Sequence, residues 1–142
     1  MDTGTTTRKE SAMSKTDFEE AADLTALSGL YAGLIVGASD PGTANLETAT
    51  GLTEASYASY ARLACALGSN TGTGAGATTR ANTAALTFAP VAGAGITVHR
   101  VGFYGAATAG SLRYYNDVDL NTAVAIGVNP YFAIGALTVG ED

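Results

Sequence analysis

The chain predicts an all-β fold, an antiparallel β-sandwich of jelly-roll type, and three observations carry that prediction. Apolar stretches of strand length recur between clusters of turn-forming residues. Helical periodicity is evident once, near the amino terminus. Alanine, glycine and threonine dominate a chain in which 46% of residues are hydrophobic and only 14% charged. Side chains this small let backbones and sheets approach closely. With 142 residues there is room for one domain, and folding at this size removes about two-thirds of the unfolded chain's surface from water.

Residues 1–15, MDTGTTTRKESAMSK, are threonine, serine and charge. Such a segment is too polar to bury itself, so we expect an extended arm, ordered by lying on another subunit. It lacks the apolar centre of a secretory leader, which sets the expectation of a protein made and used without secretion. The domain proper is expected over 16–142, opening with a short helix at 16–28. Thr16 caps that helix and Glu19 completes a capping box. Asp17, Glu19 and Glu20 meet the positive end of the helix dipole, which is reason enough for three acids there. Phe18, Ala21, Ala22, Leu24 and Leu27 form its apolar side, and Gly29 ends it.

From Leu30 the pattern is that of strands. LYAGLIVGA runs into the turn SDPG, and a polar connection, TANLETATGLTEAS, leads to YASYARLACAL, expected to be a strand although its alanines suit a helix. The glycine- and threonine-rich SNTGTGAGATTRAN reads as a loop. AALTFAPV follows, with Leu86 and Phe88 on one face, and then GITVHRVGFYG, SLRYYNDVDL, TAVAIGV and YFAIGALTV. In SLRYYNDVDL, alternation places Arg113, Tyr115, Asp117 and Asp119 on a wet face opposite Leu112, Tyr114, Val118 and Leu120.

Each candidate chemistry fails on its own terms. The run Gly72 to Gly76 lacks the following helix and the lysine that a phosphate loop requires. His99 is the one histidine, set in a strand beside Arg100, with no nucleophile elbow in the chain. One histidine and one cysteine give no metal-ligand spacing. Cys65 lies within LACAL and reads as a small buried hydrophobe. Asp117 and Asp119 read as surface or intersubunit partners of Arg113 rather than as a hydrolytic pair. A net charge of −6 disfavours nucleic acid, because phosphate binding works through lysine and arginine. No apolar run reaches the roughly 20 residues that span a bilayer. The seven tyrosines suit subunit interfaces better than a sugar-stacking platform. No enzyme, cofactor or metal is expected.

Taken in order, the motifs resemble a family of small tailed-phage virion proteins commonly labelled tail fibre proteins. The likeness runs over residues 16–139. It comprises the helix TDFEEAADLTAL, the strand motif Tyr31-Ala32-Gly33-Leu34, the turn SDPG, and Tyr60-Ala61-Arg62 in SYARLACAL. NTAALTF, VGFY and AATAG follow, and the close is marked by Gly127, Phe132, Gly135, Leu137 and Val139. The chain departs from the family in having no tryptophan before VGFY and a longer arm.

The resemblance implies a non-enzymatic virion structural protein, assembled in the host cytoplasm. Our first expectation is a capsid decoration or cement protein bridging major capsid subunits, with sister copies as further partners. The alternatives are a tail or tail-fibre component and a glycan-binding attachment module. Candidate subunit contacts are Arg8, Lys9 and Lys15 in the arm, and His99, Arg100, Arg113 and Tyr115 on the hairpin surface.

Overall fold

The structure, a computed structural model, describes residues 28–68 and 78–141. The arm at 1–15, all but the last residue of the helix expected at 16–28, and the glycine run at 72–76 lie outside the described residues. The remainder is built of antiparallel strands, as expected. β1 (Tyr31–Val36) is followed by one short helix, α1 (Thr43–Thr48), and then β2 (Leu63–Ala64), β3 (Thr78–Ala81), β4 (Leu86–Thr87) and β5 (Ile96–Tyr104). β6 (Leu112–Tyr115), β7 (Thr122–Val124), β8 (Tyr131–Phe132) and β9 (Thr138–Glu141) complete it. Five strands form the main sheet, in the order β2-β1-β5-β6 with β7 also on β5. The ladders β3-β9 and β4-β8 are two-stranded ribbons.

All three sheets feed one core. Ala32, Leu34, Val98, Val101 and Phe103 come from the main sheet, Leu86 and Phe88 from β4 and its flank, and Leu137 and Val139 from β9 and its flank. Phe88 and Phe103 are fully buried, each stabilising the fold by about 1.5–3 kcal/mol. Phe88 also meets Phe132 edge-on, with ring centroids 6.3 Å apart. Leu86 and Phe88 share a face as the alternation predicts, with Thr87 exposed between them.

Two bulges decide which side chains face that core. On β5, Ile35 pairs with Arg100 and Val36 with Val98, so His99 is an extra residue with no partner on β1. A bulge resets the alternation, which is why Val98 and Val101, three apart, both point inward. On β6, Phe103 pairs with Tyr114 and Tyr104 with Leu112, leaving Arg113 extra. Leu112 therefore packs near Gly102 on the outer face, while Tyr114 packs against the core. The single face expected for Leu112, Tyr114, Val118 and Leu120 is thus corrected. The strand ends at Tyr115, and Val118 is 59% exposed.

Three other expectations shift. TANLET forms α1, a turn and a half with Leu46 buried beneath it, closed by Ala49 in the left-handed region. YASYARLACAL contributes only the two residues of β2, because Tyr57 to Tyr60 make a turn instead. Thr78–Ala81, at the end of the predicted loop, pairs with β9. Among the described residues no helix is long and apolar enough to cross a membrane.

Candidate functional site

The outer face of the main sheet carries two similar arginine clamps. Gly33 and Gly102 lie opposite one another on β1 and β5, and their bare backbones leave a hollow. A Cβ at Gly33 would stand 2.6 Å from Glu54 Oε2 and 2.9 Å from the Tyr60 hydroxyl, so the hollow is filled by those two groups. Arg62 Nε and Nη2 donate to both oxygens of Glu54, at 2.9 and 2.8 Å. Arg62 Nη1 donates to the carbonyls of Ala106 and Ala109, and its guanidinium lies 3.7 Å from the Tyr104 ring centroid. One side chain thereby ties the β2 edge, the 53–60 segment and the β5-β6 hairpin loop together.

Tyr60 completes the clamp. Its hydroxyl donates to Glu54 Oε2 at 2.6 Å and accepts from the Leu34 amide at 2.9 Å. β2 stops opposite Ala32, so the tyrosine satisfies a β1 amide beyond the end of its neighbouring strand. Burial works to raise the Glu54 pKa, but the bonds from Arg62 and Tyr60 outweigh it and hold the carboxyl below its usual value. Burial, then the bond to Glu54, pushes the Tyr60 hydroxyl well up. Burial also pushes Tyr104 up to about 12 and the Cys65 thiol up to about 11.

The second clamp is built on the β5 bulge. Arg100 Nε and Nη2 donate to the two oxygens of Asp40, at 3.0 and 2.9 Å, and Nη1 donates to the Asn116 carbonyl at 3.0 Å. The bond from Arg100 holds the Asp40 pKa below its usual value. His99 turns its two ring nitrogens to Asp119 Oδ1 at 2.8 Å and to the Gly37 carbonyl at 3.0 Å. Asp40, His99 and Asp119 place ligand atoms within 4.8 Å of one another, a spacing that suits a metal ion. Each is already engaged, and the Arg100 guanidinium sits on Asp40 where a cation would compete.

Of the predicted contact residues, Arg8, Lys9 and Lys15 lie outside the described residues. His99 and Arg100 are only 2% and 7% exposed, which corrects their placement on the hairpin surface. The bulge turns them into the fold, where carboxylates await them. Asp119, expected beside Arg113, is instead the partner of His99. Arg113 is exposed, and the Tyr115 hydroxyl donates to Glu47. Arg100, Arg113, Tyr115 and Asp117 line an open cleft of about 600 Å³ beside α1. Of the seven tyrosines only Tyr131 is exposed, the rest being half-buried or buried within their own chain.

Sequence reasoning missed Asp40 and Glu54 as partners and gave Tyr60 and Arg62 no role. A signal was present. Arg62 is the only charge between Glu54 and Arg80, and an arginine that becomes buried needs a partner for its charge.

No curated protein and no solved structure matches the chain. A family model described as Podophage GP4 fiber I protein gp80 matches residues 4–140, nearly the whole length and all the elements above but the last residue of β9. The chain therefore belongs to the Gp80 family of podophage fibre proteins, a structural family of the tailed-phage virion.

Proposed function

We propose that this chain is a non-enzymatic structural subunit of the phage fibre, present in several copies per assembly. The observation that carries this reading is the pair of arginine clamps. The side chains with most chemistry to offer are committed to internal ties: Arg62, His99 and Arg100 each join three segments, and Glu54 takes both the Arg62 fork and the Tyr60 hydroxyl. A protein whose task is to hold shape under load benefits from such ties. An enzyme would instead present these groups to a substrate.

The family description names a fibre protein, so the fibre takes precedence over the capsid-cementing role expected from sequence. On this reading the partners are sister copies and adjoining fibre or tail subunits rather than the major capsid protein. Nucleic acid and membrane are not partners, and the net charge of −6 supports the first of these. The subunit reaches the virion after assembly in the host cytoplasm. A glycan-stacking role gains little support from the tyrosines, since sugar platforms require exposed rings and six of the seven are half-buried or buried.

The test is to tag the carboxyl terminus, label intact particles with gold, and image them. Label on the fibres is expected. Label distributed over the shell would overturn the reading in favour of capsid decoration.

A further inference from the structure

The ring of His99 meets, at both of its nitrogens, a group that can only accept. As the extra residue of the β5 bulge, His99 has no partner on β1, and its side chain turns into the fold, where it is buried. Nδ1 lies 2.8 Å from Asp119 Oδ1, and Nε2 lies 3.0 Å from the Gly37 carbonyl oxygen. A carbonyl has no proton to give. Asp119 Oδ1 already accepts the Asn121 amide at 3.0 Å, as a carboxylate oxygen does. A neutral imidazole carries one N–H and one bare lone pair, so at one of the two contacts lone pair would face lone pair. Turning the ring over brings carbon against both acceptors. Only a ring protonated on both nitrogens makes both bonds.

We propose that His99 is a cation in the folded protein, and that its second proton is the catch of a pH-sensitive latch. The latch ties the end of β1, at Gly37, through β5 to the segment that follows β6, at Asp119. The charges around the ring fit this assignment. Asp40, Asp119 and the ring each place an atom within 4.8 Å of the others. Arg100, next along β5, engages Asp40, so two acids face one base until His99 supplies the second positive charge. β1 and β7, which flank this end of β5, bring no ionisable side chain here. Losing the proton leaves one of the two bonds, and Asp119 without a cation beside it. At pH 7.5 a histidine in the unfolded chain is about nine-tenths neutral, while the fold keeps its proton. The unfolded state then binds fewer protons, so stability falls as pH rises, until the folded ring has released its proton too.

The experiment is nitrogen-15 NMR of the imidazole in the untagged full chain at pH 7.5, where the one histidine of the sequence gives a single ring to observe. The expected spectrum shows both ring nitrogens protonated, each coupled to its own hydrogen. One bare nitrogen at that pH overturns the proposal. In Asp119→Asn the side-chain amide can donate to a neutral ring, so one nitrogen is expected to be bare at the same pH. A variant that keeps both protons would overturn the assignment of the latch to Asp119. Urea midpoints between pH 7 and pH 9 give a second readout. The wild type is expected to fall further than Asp119→Asn over that interval, and equal falls would contradict a latch. Should the variant fail to fold, the wild-type spectrum alone decides.

Discussion

At the scale of single residues, two glycines and two arginines govern the outer face of the sheet. Gly33 is required for space rather than for flexibility, since an added methyl group would run into Glu54 and Tyr60. Gly33→Ala is expected to cost about 1–3 kcal/mol, as overpacking does, measured as a lowered urea midpoint. Gly29, which has nothing within 4 Å, should tolerate the same change with little effect. The sequence alone exposes such residues unevenly. Arg62 could be suspected of needing a carboxylate because its surroundings are uncharged. That the carboxylate is Glu54 depends on the turn at Tyr57 to Tyr60, which local propensity does not show.

At the scale of elements, strand positions were legible because period-two alternation and turn clusters mark them. β1, β5 and the Leu86/Phe88 face came out as read. The errors arose where a bulge resets the alternation. His99 and Arg113 look like ordinary strand residues in sequence, yet each adds one residue to its ladder and so changes which neighbours are buried. The acid partners of Arg100 and His99 lie 60 and 20 residues away, too far for any local pattern to connect. The hairpin loop after β5 is the element most dependent on a distant side chain, through the two carbonyl bonds of Arg62. Arg62→Lys supplies the charge without the fork. We expect it to speed amide exchange at residues 105–111 by about tenfold, the loss of roughly 1.4 kcal/mol of local stability, while exchange in β5 near Val98 stays as it was.

At the scale of the whole molecule, the ties predict a particular sensitivity to acid. Glu54 and Asp40 both titrate lower in the folded chain than their usual values of 4.5 and 3.8. The unfolded chain therefore takes up more protons as pH falls, and the stability these groups contribute, fully present above about pH 5, is lost as pH falls through their folded values. Urea midpoints measured between pH 7 and pH 3 should fall. In Glu54→Gln/Asp40→Asn the midpoint should be lower at pH 7 and change less over the same interval. The family match spans nearly all of this architecture, and the motif order that suggests a phage fibre in the sequence follows the strands in the fold. What motif order could not supply is where in the particle the copies stand. The most direct measurement is the amount of this chain in purified virions relative to the major capsid protein, by quantitative mass spectrometry. A fibre subunit predicts a reproducible presence at a small fraction of the capsid protein, whereas a ratio matching the symmetry sites of the shell, or absence from the particle, would contradict the account.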